Sequence, residues 1–139
     1  MIEFHYETDF QLADEVKFAD WVSRVVVSEE AVVGQLDYIF CADDYLYELN
    51  KKHLGHDTLT DIITFDYADG KSVSGDIFIS VERVVENAQL FNTDFEQELL
   101  RVMAHGLLHL AGYNDKTEGD RSQMRTKEDE KIKLFHVEQ

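Results

Sequence analysis

His105 and His109 stand four residues apart, and Asp115 follows six residues later, in the run His105-Gly106-Leu107-Leu108-His109-Leu110-Ala111-Gly112-Tyr113-Asn114-Asp115. Histidines at i and i+4 share one face of a helix, so their imidazoles can converge on a single metal ion. A neutral imidazole is a good ligand for zinc and its neighbours in the transition series. Gly112 can end the helix, and the chain that turns back can bring a third ligand, Asp115, to the same ion. Three protein ligands and one open position make a catalytic zinc site, not a closed structural one. The competing reading is two half-buried histidines with no ion. Against it, the run from Val102 to Leu110 is otherwise apolar, and an unpaired imidazole there costs free energy.

Gly106 narrows the chemistry. A glycine inside a helix costs about 1 kcal/mol relative to alanine, so it has either a packing or a functional reason. In the metalloprotease pattern His-Glu-x-x-His the general-base glutamate directly follows the first histidine. Here that position is glycine, so the expected peptidase base is missing.

The elements that must hold these residues follow from periodicity. Ile2 to Tyr6 alternates as a strand with one buried face. Helical spacing runs from Leu12 to about Ala31 through Val16, Ala19, Val22, Val25 and Val26, and Gly34 breaks it. Leu36 to Ala42 reads as a buried strand containing Cys41, and Asp43 as the N-cap of a short helix with Leu46, Leu49 and His53. After a polar loop at Leu54 to Thr58, Thr60–Phe65 and Ser74–Ile79 form a hairpin through the Asp69-Gly70-Lys71-Ser72 turn. Ser80 can cap a helix carrying Val81, Val84, Val85 and Ala88. Thr93 or Asp94 can cap the histidine helix, with Thr93 and Glu96 at capping-box spacing. A last amphipathic helix spans about Glu118 to Phe135. The order β-α-β-α-β-β-α-α-α predicts an α+β, α/β-like class, with a mixed four-stranded sheet and helices packed against it.

The 139 residues suit one domain with a real core. No apolar run approaches the length of a membrane span, and no basic segment followed by an apolar one opens the chain. With one cysteine, the default expectation is a cytoplasmic protein with no membrane partner. The net charge of −16 is unevenly spread: residues 1–50 hold 12 acidic and 2 basic side chains, residues 101–139 hold 7 of each. The N-terminal part should repel nucleic acid. A polyanion would bind beside the histidines, near Arg101, Lys116, Arg121, Arg125 and Lys127. The plainer function of the acidity is solubility.

The histidine run resembles the His-Gly-x-Leu-His-Leu-x-Gly-Tyr-Asp-His signature of the YbeY family, the bacterial rRNA maturation endoribonucleases. Leu49-Asn50, Thr60-Asp61-Ile62-Ile63-Thr64-Phe65, Gly75-Asp76-Ile77, Glu98-Leu99, and Met124 with Glu128 resemble further family segments in the same order, over about residues 36–135. The resemblance implies a YbeY-like metallohydrolase domain over residues 1–139, with one zinc-type ion in a cleft at a helix end. His105, His109 and Asp115 would be both ligands and catalytic residues. It implies a metal-dependent, single-strand-specific endoribonuclease in rRNA maturation and ribosome quality control. The partners would be single-stranded rRNA, the small ribosomal subunit and its associated proteins. With no obvious general base, metal-activated water is the most economical nucleophile.

Two positions depart from the family pattern. The family's arginine, five residues beyond the Leu of Leu-Asn, falls on Leu54, which cannot bind phosphate. Lys51, Lys52 or His53 could take its place, or could simply be solvated helix surface. Asp61 and Thr64 bracket a strand that should border the cleft and are candidate substrate contacts; alternatively Thr64 pairs in the sheet and Asp61 caps a turn. His5, His56 and His136 lack ligand partners at useful spacing, Asp76 need only start a strand, and Tyr113 packs over the helix end. Two competing functions remain: a metal-dependent hydrolase of another substrate, such as a peptidase, and a non-catalytic ribosome-assembly factor with a structural metal.

The other departure is Asp115, which stands where the family has a third histidine. A carboxylate is an acceptable zinc ligand, and two histidines with a carboxylate also suit iron, so another divalent transition metal could replace Zn2+. The carboxylate adds a negative charge, so a metal-held water gives up its proton less readily than beside three imidazoles. The pH–activity profile should therefore lie at higher pH in the native protein than in an Asp115→His variant. Superimposable profiles would refute this.

Overall fold

The computed structural model describes residues 1–54, 60–68, 70 and 72–137. Among them the elements run β1 (Ile2–Tyr6), α1 (Glu15–Ser28), β2 (Val32–Cys41), α2 (Asp43–Leu54), β3 (Ile62–Asp66), β4 (Ser72–Ser80), α3 (Val81–Leu90), α4 (Phe95–Leu110) and α5 (Glu118–Phe135). This is the expected order, and the class is α+β. The expected loop at 54–58 with His56, and the Asp69 and Lys71 positions of the hairpin turn, lie outside the described residues, as do the side chains of His53 and Leu54.

The sheet has strand order β1-β2-β4-β3. β1, β2 and β4 are parallel, and β3 returns antiparallel to β4, with Ile63 opposite Phe78 and Thr64 opposite Ile77. Alternation sends Leu36, Tyr38, Phe40, Ile77 and Ile79 to one face, where they pack with α1, α4 and α5 in the main core. Cys41, Ile63, Phe65 and Phe78 point to the other face and meet Leu46 and Leu49 of α2. Both faces are covered, which is why β2 reads as a nearly continuous apolar run.

β2 begins four residues before the expected start, and Gly34 lies inside it. The pairing shows why: Val33 faces Val73 and Leu36 faces Gly75, so β2 carries one extra residue, a bulge. A Cβ on Gly34 would sit 1.9 Å from Ser74 Oγ, so a glycine in the sequence marks a crowded bulge rather than a break. α1 is correspondingly shorter than expected. Asp14 caps it by accepting from the Lys17 amide, and Glu30, at φ 58°, turns the chain after its end.

α4 is the central element, burying ten residues from Glu98 to Leu110. It crosses the sheet so closely that a Cβ on Gly106 would lie 2.9 Å from Ile77 Cγ2, which supplies the packing reason for that glycine. α5 lies along α4 and is fastened to α1 by Trp21 Nε1, which donates to the Lys131 carbonyl at 2.7 Å, and by Phe135 packed edge-on to Trp21.

Gly75 is the tightest of these approaches in the hairpin. A Cβ there would meet the Phe65 carbonyl oxygen at 2.3 Å and Leu110 Cδ2 at 3.0 Å. Gly75→Ala should lower the stability by about 1–3 kcal/mol through a forced backbone shift. Urea unfolding reads this as a lower midpoint at unchanged slope, and an unchanged midpoint would refute it.

Candidate metal centre

On its cleft side α4 carries a polar stripe, Glu98, Arg101, His105 and His109, spaced by three and four residues along an otherwise buried helix. Asp94 starts the helix by accepting from the Gln97 amide. The expected Thr93–Glu96 capping box is not what forms, because Asp94 is the residue placed at the N-cap. At the far end Gly112 adopts φ 107°, the Gly112 amide donates to the His109 carbonyl and the Tyr113 amide to the Leu108 carbonyl, each at 3.0 Å. These two bonds are the Schellman arrangement, and they reverse the chain as the glycine predicted. Tyr113 then donates its hydroxyl to Glu29 Oε1 at 2.7 Å, fixing the returning loop to the end of α1.

The reversal brings Asp115 back to the histidines. Asp115 Oδ2 lies 3.4 Å from His105 Nε2 and 3.3 Å from His109 Nε2, and one donor atom from each of the three residues falls within 4.8 Å of the others. Behind His105, Nδ1 meets Glu128 Oε2 at 2.7 Å. Glu128 is buried on α5, and its other oxygen takes a hydrogen bond from Arg101 at 3.0 Å; Arg101 also donates to Asp129 at 2.7 Å.

This arrangement decides the protonation of His105. Ionised Glu128 can only accept, so Nδ1 carries the proton and Nε2 presents its lone pair to Asp115. Two acceptors then face one another at van der Waals separation, which is favourable only with a cation or an added proton between them. The proton affinity of His105 reflects this. Burial alone would lower it, but the hydrogen bond and charge of Glu128, with Asp115 and Asp61, outweigh burial and raise the net pKa above its usual value. The same negative charges favour a divalent ion at this point. The donor set of two imidazoles and a carboxylate therefore fits a transition metal.

His105 and Asp115 line a cleft of about 390 Å³ whose floor includes Asp61, Glu98 and Glu128, whose apolar walls include Phe91 and Met124, and whose α5 side carries Arg121 and Arg125. Burial pushes the carboxyls of Asp61 and Glu98 up from the usual carboxylate range. Asp61 accepts a hydrogen bond from Asn87 Nδ2 at 3.3 Å.

Of the candidate substrate contacts, Asp61 reaches this cleft, whereas Thr64, Lys51 and Lys52 do not line it. Thr64 is half-buried in β3, and the two lysines are exposed on α2, across the sheet from α4. His5 does find partners: parallel pairing of β1 with β2 sets it 2.8 Å from Asp37, and with Glu3 they form a second, surface-facing group of possible ligands. Sequence spacing could not show this, because the neighbours come from another strand. Asp76 lies within β4 and accepts from the Tyr67 hydroxyl rather than starting the strand. His136 caps α5 with its ring against Phe135.

The sequence reading missed the role of Glu128 behind His105, because Lys127, Glu128, Asp129 and Glu130 look like solvated helix surface. A signal was available: Met124, Glu128, Lys131, Ile132 and Phe135 form one buried stripe at helical spacing.

The sequence profile of the YbeY family, described as Endoribonuclease YbeY, matches residues 3–136. A protein of Flavobacterium johnsoniae named Endoribonuclease YbeY is 60% identical over 139 residues, covering 100% of both chains. One of the same name from Flavobacterium psychrophilum is 55% identical over 100% of this chain and 99% of its own. The solution structure of TM1509 from Thermotoga maritima superimposes with a TM-score of 0.68 at 29% identity, over 97% of this chain and 89% of that one. With an endoribonuclease profile spanning nearly its whole length and full-length relatives of that name, this chain belongs to the YbeY endoribonuclease family.

Proposed function

We propose that one domain over residues 1–139 is a metal-dependent, single-strand-specific endoribonuclease of rRNA maturation and ribosome quality control, working in the cytoplasm on the small ribosomal subunit and its associated proteins. The observation that carries this reading is the convergence of His105 Nε2, His109 Nε2 and Asp115 Oδ2 beside an open cleft. These three side chains would hold the ion, zinc in the first instance. Bound there, a divalent ion supplies Lewis-acid polarisation of a phosphoryl oxygen and lowers the pKa of water. Unpaired RNA suits the site because splayed bases can enter a cleft that a duplex cannot. No helix is long and apolar enough to cross a membrane.

The chain's own residues do the positioning. Glu128 keeps the Nδ1 proton on His105, so Nε2 stays free for the ion. Arg101 neutralises and orients Glu128. The Tyr113–Glu29 bond holds the loop that delivers Asp115. Gly106 occupies the position of the metalloprotease base, so the site offers no peptidase machinery there.

Cleavage of a labelled single-stranded rRNA fragment by highly purified protein should be abolished both by a chelator and by His109→Ala. Cleavage that survives in the variant would overturn the reading.

Glu128→Gln should weaken metal binding about 10–100-fold, read by competition with a chromogenic chelator. In the metal-free protein, the His105 ring should titrate lower in this variant than in the wild type. The sign is fixed by linkage: a raised histidine pKa adds stability at low pH that is lost as pH rises through the folded-state value. Wild-type stability should therefore fall over that interval more than the variant's, and equal falls would refute the role given to Glu128.

A further inference from the structure

The cleft beside His105 and Asp115 is also lined by acidic and basic side chains outside the metal group, Asp61, Glu98, Arg121 and Arg125. Its floor holds Glu98, 5% exposed, whose carboxylate meets no hydrogen-bond donor among the described residues. Asp61 lies in the same floor and accepts from Asn87. Its α5 side holds Arg121 and Arg125, which with Glu128 are spaced i, i+4 and i+7 on one face of α5. Both arginines are exposed, and among the described residues no carboxylate lies within salt-bridge distance of either; Arg121 donates to the Lys116 carbonyl at 3.0 Å. Arg101, by contrast, is spent on Glu128 and Asp129. On the wall stands Phe91, 62% exposed, a large apolar ring left open to water at the edge of a polar cleft.

A phosphate is repelled by acidic side chains, but it can rest on two exposed guanidinium groups that form no salt bridge among the described residues. Glu98 is largely sunk in the protein, yet its carboxylate opens on the cleft rather than onto a protein donor, so it can accept an N–H from a bound group. A nucleobase with an exocyclic amine brings one, and cytosine N4 is the standard partner of a Glu or Asp acceptor. An exposed aromatic ring is a stacking surface for an unpaired base. The volume of about 390 Å³ lies within the range of small-ligand sites. We infer that this cleft is a single-nucleotide subsite selective for an amino-bearing base. Glu98 accepts from the exocyclic amine, Phe91 stacks on the base, and Arg121 and Arg125 hold the adjoining backbone phosphates. The inference rests on the single-stranded RNA reading above and assigns the base preference next to the cut. It also supplies phosphate contacts to a chain that has Leu54 where the family carries an arginine.

The test uses the full chain with His109→Ala, so that the strand is not cut, and labelled single-stranded octamers of cytidine and of uridine. Fluorescence anisotropy should show the cytidine octamer bound about tenfold more tightly, the worth of one hydrogen bond to a charged group. Adding Glu98→Gln, whose amide also donates to uracil O4, should erase that preference. Adding Arg121→Gln with Arg125→Gln instead should weaken both octamers alike and flatten the log–log salt dependence by about 1.4, at roughly 0.7 per phosphate. Both arginines are on the surface, so this arm remains informative even if Glu98→Gln unfolds. Equal binding of the two octamers, a preference that survives Glu98→Gln in a folded protein, or an unchanged salt slope would overturn the proposal. Cleavage by the wild type is scored in parallel. Selective binding without cleavage sinks the nuclease reading and supports the subsite, whereas cleavage with unselective binding does the reverse.

Discussion

The hydrogen bond between His105 Nδ1 and Glu128 ties the chemistry of this protein to its packing. It joins a residue of α4 to a buried residue of α5, so it exists only if the two helices lie in one register. Everything that fixes that register therefore serves the site. α4 must press onto the sheet, which the glycine at 106 allows. α5 must be held in place, which Trp21 of α1 does through the Lys131 carbonyl and Phe135, while the Thr117–Asp120 capping box fixes where the helix starts. Burial makes the bond strong, because Glu128 is screened from water, and Arg101 offsets its desolvation.

A second constraint acts on the same helix from the opposite direction. α4 must bury its apolar side in the main core while carrying four polar residues along another side, three of which line the cleft. The solution is segregation by face: Leu99, Val102, Met103 and Leu107 face inward, and Glu98, Arg101, His105 and His109 lie on the stripe. The cleft thus lies along one side of a core helix, and the polar side chains of the stripe are carried by an element that is otherwise buried.

Much of this was legible in the sequence because it is local. Helix period, the i, i+4 histidines, the glycine turn after Leu110 and the cap at Ser80 all express themselves within a few residues, and the structure has them where local pattern put them. Between Thr93 and Asp94 the structure places Asp94 at the N-cap. The α5 boundaries were read off closely for the same reason. What escaped was non-local. The bulge at Gly34 depends on crowding by Ser74, the partners of His5 come from a neighbouring strand, and the role of Glu128 depends on which helix α5 packs against. Charge runs also mislead: Glu128 and Lys131 sit in the most highly charged stretch of the chain, yet both are buried and paired. Asp61 could be read either as a turn residue or as a cleft residue, and only the tertiary fold chose the cleft.

Asp115 differs from the two histidines in where it is mounted. They ride on a helix locked between sheet and α5, and it rides on a short loop pinned through Tyr113 to Glu29, which is itself clamped by Lys131 at 2.6 Å. The anchor of that loop does not involve the Asp115 side chain. A substitution at this position therefore changes the donor while leaving the Tyr113–Glu29 anchor and the helical histidines in place. The donor set thus has a fixed part, two imidazoles set by helix packing, and an exchangeable part, the carboxylate on the loop.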